Sequence, residues 1–220
     1  MTNNIDISSK LHELAALTDV VWVEEVRRLI ISVHETEKTK LFEKNDSPVI
    51  MQSLSDCMDL VVKEVYNRIV GSKVDDIAVL AVGGFGRREM SFFSDVDLMF
   101  LIGKSYDATN KYIPDILHVL WDFHLDVGYS SRTISEALKV ANGDMKSCTA
   151  MIDSRLLVGD NKIFSYFRKK LYEKIPKNLP QKLNSWRSQR IINNASVQLL
   201  EPNVKESPGA LRDIQSFQWA

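Results

Sequence analysis

The sequence predicts an α/β protein: a small mixed sheet set between a helical N-terminal arm and a helical C-terminal extension. Three observations predict it. Apolar residues recur at helical spacing through the first third of the chain. Two short β-branched and aliphatic runs, "DIAVLAV" and "DVDLMFLI", follow, joined by a glycine-rich turn. Helical periodicity then returns, interrupted by one alternating segment, "DVGYSSRTI", and by prolines. The expected divisions are a helical region over 1–73, an α/β core over 74–175 and the start of a helical extension over 176–220.

Each element has its own signal. From Asp19 to Val33, Trp22, Val26, Leu29, Ile30 and Val33 share one helical face. Ser47 and Pro48 offer an N-cap and a first helical position for a second helix, whose apolar face is Leu54, Met58, Val61, Val65 and Ile69 and whose stop is Gly71. The two apolar runs read as buried strands, and "FGRRE" between them as the first turn of a short helix. Residues 109–125 are periodic through Ile113, Ile116, Leu117, Leu120 and Trp121. "DVGYSSRTI" reads as a third strand. From Ser135 the chain reads as several helices, broken at Pro176 and Pro180, with a long helix over 181–200. A polar loop, "EPNVKESPGALRD", leads into a last helix. Trp22 and Trp121 are expected in the core.

Composition narrows the function classes. A formal net charge of −1 gives no global attraction to nucleic acid or to an anionic membrane. No apolar run approaches the roughly 20 residues of a spanning helix. The two cysteines, Cys57 and Cys148, lack metal-type spacing, and the N-terminus lacks a signal pattern, which fits a cytoplasmic protein.

The chemistry concentrates in "AVGGFGRREMSFFSDVDLMFLI", residues 81–102. Asp95 and Asp97 share one face of a strand while Val96 and Leu98 point into the core. Two carboxylates with Cβ atoms roughly 7 Å apart repel unless cations lie between them. Mg²⁺, or Mn²⁺ in its place, is the natural occupant where phosphates share the ligand set. Gly83 and Gly84 permit positive φ and a close phosphate approach. Arg87 adds charge for a triphosphate, and Ser94 either bonds a phosphate oxygen or caps the turn. An anion cradle beside a two-carboxylate metal site is what metal-assisted nucleotidyl transfer requires. A dinucleotide loop does not fit, because Arg88 and Glu89 fall where the third glycine belongs. A Walker loop lacks its Gly-Lys-Ser/Thr. A plain glycine turn with surface aspartates gives no reason for Asp97 to sit inside an apolar strand.

These residues resemble the polymerase β nucleotidyltransferase superfamily, whose pattern is a hydrophobic residue, two glycines or Gly-Ser, about ten residues, then Asp-hydrophobic-Asp-hydrophobic. Here it reads Val82-Gly83-Gly84, ten residues, Asp95-Val96-Asp97-Leu98. The same stretch is similar to the bifunctional [protein-PII] uridylyltransferase/uridylyl-removing enzymes. So are "LDVGYSSRT", "MIDSRLLVGD" and "LLEPNVKESPGALRDIQSFQWA", in the same order over residues 80–220. Ser207 and Ala210 stand where that family usually has glycine, and Tyr129 where it often has histidine. The resemblance implies a polymerase β-type core and transfer of UMP from UTP to a tyrosine of the PII signal protein. It assigns the metals to Asp95 and Asp97 and the triphosphate to Gly83, Gly84, Arg87 and Ser94. It also implies that the chain is an N-terminal piece of a longer protein whose hydrolase and sensing domains lie downstream.

Other candidates stay open. A third carboxylate commonly completes such sites, and Asp126 and Asp153 are the two choices, each otherwise a helix cap or an ion-pair partner. Ser130 and Arg132 are expected near the site. Asn203, Lys205, Arg212 and Asp213 either line the nucleotide cleft or tie two helices together. His118 and His124, six apart, do not share a helical face, and no histidine is assigned a metal. Adenylyl or other nucleotidyl transfer to a different acceptor, and a non-catalytic nucleotide-binding module, remain as alternatives.

Overall fold

A computed structural model of the chain describes residues 2–44, 46–71, 76–103, 111–174, 178–193 and 203–220. It is a mixed α/β fold. Three helices come first: α1 (Thr2–Leu14), α2 (Asp19–Lys44) and α3 (Ser47–Ile69). The core follows as β1 (Ile77–Ala81), α4 (Gly83–Gly86), β2 (Leu98–Ile102), α5 (Tyr112–Asp122), β3 (Tyr129–Thr133), α6 (Ile134–Gly143), α7 (Met145–Ile152) and β4 (Arg155–Gly159). Then come α8 (Asn161–Lys174), α9 (Leu179–Asn193) and α10 (Leu211–Trp219). The sheet order is β3-β2-β1-β4. β1 pairs antiparallel with β2 and β4, and β2 pairs parallel with β3.

Strand alternation sorts the core into two layers. Ile77, Val79 and Ala81 of β1, with Leu98, Phe100 and Ile102 of β2, face the apolar stripes of α1, α2, α3 and α5. Ala78, Leu80, Met99 and Leu101 face α6, α7 and α8. A smaller cluster joins Leu179 and Leu183 of α9 to Trp219 of α10. Both central strands are buried throughout, which is why they read as continuous apolar runs. β3 lies at the sheet edge and is half-exposed, hence its polar alternation.

Most expected elements are present, with instructive shifts. α2 runs well past Val33, carried by charged pairs such as Arg28–Glu25 on its solvated face and, turned toward α3, by the buried Glu37, which accepts from Lys40 and from Ser53. Asp46 rather than Ser47 is the N-cap of α3, with Pro48 in the first turn. Gly71 lies in the left-handed region, φ 53°, and ends the helix as expected. The all-helical reading beyond Ser135 is wrong at residues 155–159. There Arg155–Gly159 forms a fourth strand on the free edge of β1, its register broken by a bulge at Val79/Leu80. Trp121 is 42 % exposed, on the outer face of α5, whereas Trp22 is buried against Phe123. Pro180 lies in the first turn of α9 and does not break it, as proline's fixed φ allows. The expected divisions near residues 74 and 176 and the end of the 181–200 helix fall outside the described residues.

Candidate active site

The turn after β1 carries the first half of the site. The expected helix over "FGRRE" lies earlier in the chain: α4 is Gly83–Gly86, and Arg87 is its C-cap. Its first bonds run from Gly86 N–H to Val82 O and from Arg87 N–H to Gly83 O, so its open amide end lies at Gly83 and Gly84. Of the two glycines only Gly83 has positive φ, 58°. That twist lets Val82 N–H bond the Asp97 carbonyl (3.1 Å) and places the Gly83 backbone against the Asp97 carboxylate. A Cβ at Gly83 would lie 3.5 Å from Asp97 Oδ2.

The second half is the extended lead into β2. Asp95 and Asp97 precede the regular strand, but their segment continues its pairing with the β3 side. Val96 N–H donates to Asp126 O and Leu98 N–H to Gly128 O, both at 2.8 Å. Val96 and Leu98 are buried, as expected, and Asp97 is half-buried. Gly128 leaves room for it, since a Cβ there would come within 2.6 Å of Asp97 Oδ1. The Asp97 carboxylate thus sits in a slot between two glycines. Burial, then the charge of Asp95, pushes its pKa above the usual carboxylate range, while Lys205 and Lys146 pull it back. Two lysines from distant parts of the chain therefore act electrostatically on Asp97. Lys205 belongs to the loop before α10, and Lys146 to the first turn of α7, which Asp144 caps through Ser147 N–H (2.8 Å).

The other expected residues divide. Arg87 is held between Glu89 (2.7 Å) and Asp153 (2.5 Å). Burial works to lower its pKa, but the two carboxylates outweigh it and raise it. Asp153 follows the end of α7, and its second oxygen accepts from Trp219 Nε1 (3.0 Å). Its carboxylate is committed to an ion pair, one of the two roles expected of it. Asp126 is exposed, its carbonyl bonded by the Val96 N–H next to Asp95, in the lead-in three residues before β3 rather than at the strand's start as expected. Ser94 Oγ accepts from Ser91 N–H (2.9 Å), closing the turn ahead of Asp95. Ser130 and Arg132 lie on the edge strand, half-buried.

Over residues 203–213 the tying role is present: Asp213, in the first turn of α10, is buried and ties Arg187 and Arg190 to Gly209 N–H. Lys205 acts electrostatically on Asp97. Asn203 Oδ1 shapes the loop by accepting from Lys205 and Glu206 N–H.

Among the described residues no three His, Cys, Asp or Glu side chains gather closely enough to hold a metal by themselves. Asp95 and Asp97 form a two-carboxylate site, and its crowded negative charge fits a hard divalent ion that shares its remaining positions with phosphate and water. Sequence reasoning missed Lys146, Gly128 and Arg155. Gly128 carried a signal, a glycine inside an alternating strand pattern. Lys146 carried none, because only the tertiary fold brings α7 to the strand ends.

No helix among the described residues is long and apolar enough to cross a membrane. A family model described as GlnD PII-uridylyltransferase matches residues 177–220. Relatives named bifunctional uridylyltransferase/uridylyl-removing enzyme match much more of the chain. That of Zymomonas mobilis is 38% identical over 66% of this chain and 16% of its own length. That of Rhodospirillum rubrum is 32% identical over 84% of this chain and 21% of its own length. That of Photobacterium profundum is 27% identical over 98% of this chain and 25% of its own length. The chain thus spans a quarter or less of the length of these curated relatives. Sequence similarity along almost the whole chain, over a fold that brings the glycine turn to the paired aspartates, places it in the family of the bifunctional uridylyltransferase/uridylyl-removing enzymes.

Proposed function

We propose that the chain carries the nucleotidyl-transfer site of a magnesium-dependent uridylyltransferase, which moves UMP from UTP to a tyrosine hydroxyl of the PII signal protein and releases pyrophosphate. The observation that carries this reading is the Asp97 slot. A half-buried carboxylate beside Asp95, bracketed by Gly83 and Gly128 and acted on electrostatically by Lys146 and Lys205, suits a cation and a polyphosphate together.

Asp95 and Asp97 would hold the metal, magnesium or manganese, which when bound neutralises the triphosphate and makes the attacking hydroxyl more acidic. Gly83 and Gly84 present backbone amides to the phosphates, and Lys146 and Lys205 neutralise the charge that grows on the departing pyrophosphate. The tyrosine oxygen forms a bond to the α-phosphorus as the bond from that phosphorus to the bridging oxygen breaks. The phenolic proton leaves to a carboxylate or to water. Of the two candidate third carboxylates, Asp126 is exposed and adjacent to Asp95, whereas Asp153 is engaged by Arg87 and Trp219, so Asp126 suits that role better. Arg87 orients the turn through its pairs with Glu89 and Asp153. Ser94 serves by fixing the turn before Asp95. The two cysteines are free and buried, in keeping with a cytoplasmic setting.

The test is incubation with PII, Mg²⁺ and each of the four nucleoside triphosphates, with PII weighed by mass spectrometry and pyrophosphate measured. Addition of one UMP from UTP alone is expected. Transfer from ATP in preference would replace uridylyl by adenylyl transfer. Nucleotide binding with no transfer to any acceptor would reduce the chain to a binding module.

A further inference from the structure

A cavity of about 300 Å³ opens beside Asp95, lined by Asp95 and Val96 but not by Asp97. Its inner wall is apolar, with Leu54 and Met58 from α3 and Met90 and Phe92 from the segment leading to the aspartates. Phe92 is steadied by an edge-on contact with His34 of α2, ring centres 6.1 Å apart. Burial lowers the pKa of His34, which keeps that wall uncharged at neutral pH. Phe93, on the rim, is 98 % exposed, an aromatic ring with almost none of its surface covered. Asp95 and Asp126 complete the rim.

We propose that this cavity seats the aromatic ring of the acceptor tyrosine, with its hydroxyl at Asp95 and Asp126. The inference rests on the transfer reaction proposed above and names the place where its acceptor binds.

Three arguments select this occupant. Size is the first. Ligand clefts run from about 300 to 1,000 Å³, so this one suits a single ring-sized side chain better than a nucleotide. Charge is the second. The described residues that line the cavity include two carboxylates and no lysine or arginine, so it offers a triphosphate no cationic side chain but suits a neutral hydroxyl that must shed a proton. Place is the third. Lys146 and Lys205 act electrostatically on Asp97, and neither they nor Asp97 line the cavity, whereas Asp95 and Val96 do. Displacement at phosphorus brings the nucleophile and the leaving group to opposite sides, so a seat that neither lysine lines suits the nucleophile. The helical arm that carries no sequence motif thereby gains a role, since α2 and α3 build one wall of the seat.

Phe93→Ala tests this with little risk to folding, because the ring is exposed. In ligand-observed NMR, saturation should pass from the chain to the ring of N-acetyl-tyrosinamide and fall several-fold in Phe93→Ala. Added Mg²⁺ and UTP should not compete. In transfer assays Phe93→Ala should raise KM for PII about tenfold, the scale of one modest interface anchor, and leave KM for UTP unchanged. Absence of saturation transfer, competition by UTP, or a change in KM for UTP alone would each overturn the proposal, the last two by giving the cavity to the nucleobase. If the probe binds as expected while wild type never modifies PII, the uridylyl-transfer reading fails and the acceptor assignment fails with it, leaving a ring-binding cavity.

Discussion

Asp97 concentrates the chemistry into one side chain. Its pKa is raised by burial and by Asp95, so between the unfolded carboxylate value and the higher folded one the native state holds the extra proton. Stability without metal therefore falls as pH rises through that window. Asp97→Asn should raise the thermal midpoint of the metal-free chain at pH 8, and the gain should shrink as pH falls through that window and Asp97 takes up its proton; calorimetry across that range checks it. The same variant should lower transfer at least about 100-fold, since the site loses a charge aimed at the reacting phosphate. A variant with near wild-type turnover at saturating Mg²⁺ would remove Asp97 from the metal site. Gly83 is the other sensitive position. Alanine there must adopt φ 58°, which costs about 1–2 kcal/mol, and its methyl would lie against Asp97. Gly83→Ala should lose that stability in urea melts and bind Mg²⁺–UTP more weakly in calorimetry.

Between elements, the glycine turn is fixed by one arginine. Arg155, at the start of β4, donates to Gly86 O and Phe85 O (both 3.1 Å) and to both oxygens of Asp59 on α3 (2.5 and 2.6 Å). Its guanidinium also lies over the Phe85 ring. One side chain thereby satisfies the carbonyls at the end of α4 and joins the turn to the helical arm. Asp59 is buried, so removing its main partner leaves a charge poorly compensated. Arg155→Ala should cost about 3 kcal/mol by urea denaturation. Arg155→Met with Asp59→Leu should recover much of that stability. The double variant should still bind nucleotide less tightly than wild type, because the turn's carbonyls have lost their donor. Recovery of both stability and affinity would mean that Arg155 only fills space.

At the level of the whole molecule, the last helix closes over the glycine turn. Trp219 donates to Asp153 and lies 5.8 Å from the Arg87 guanidinium, and Gln215 reaches Glu89 (3.3 Å). The loop ahead of this helix carries Lys205, which acts electrostatically on Asp97. A segment far along the chain is thus a structural part of the site. α10 is only nine residues long and is held by tertiary contacts rather than by its own propensity. Trp219→Ala should accordingly release residues 203–220 locally rather than unfold the sheet. Hydrogen exchange should show lost protection there and little change in β1 and β2, with weaker Mg²⁺–UTP binding as Lys205 moves away. Uniform loss of protection across the sheet would show instead that the docked helix is part of the global folding unit.

The sequence by itself determined the two central strands, the two longer helices of the arm and the pairing of a glycine turn with Asp95 and Asp97. Those features are written in local period and spacing: continuous apolar runs for doubly covered strands, 3.6-residue stripes for helices, and a fixed gap between the glycines and the acids. It did not reveal β4, because Arg155–Gly159 is a short strand that begins with an arginine and whose partner lies some 75 residues earlier in the chain. It placed the short helix too late, because sterics at Gly83, not propensity in "FGRRE", decide where the turn begins. It put Trp121 in the core, since periodicity alone does not show how much of a helix face its neighbours cover. Only the tertiary structure decided that Arg87 is committed to Glu89 and Asp153, that Lys146 and Lys205 converge on Asp97, and that α2 and α3 wall a cavity beside Asp95. The physical reason is common to all three. Charge pairing, burial and cavity shape depend on distances between residues remote in sequence, and a local pattern carries no record of them.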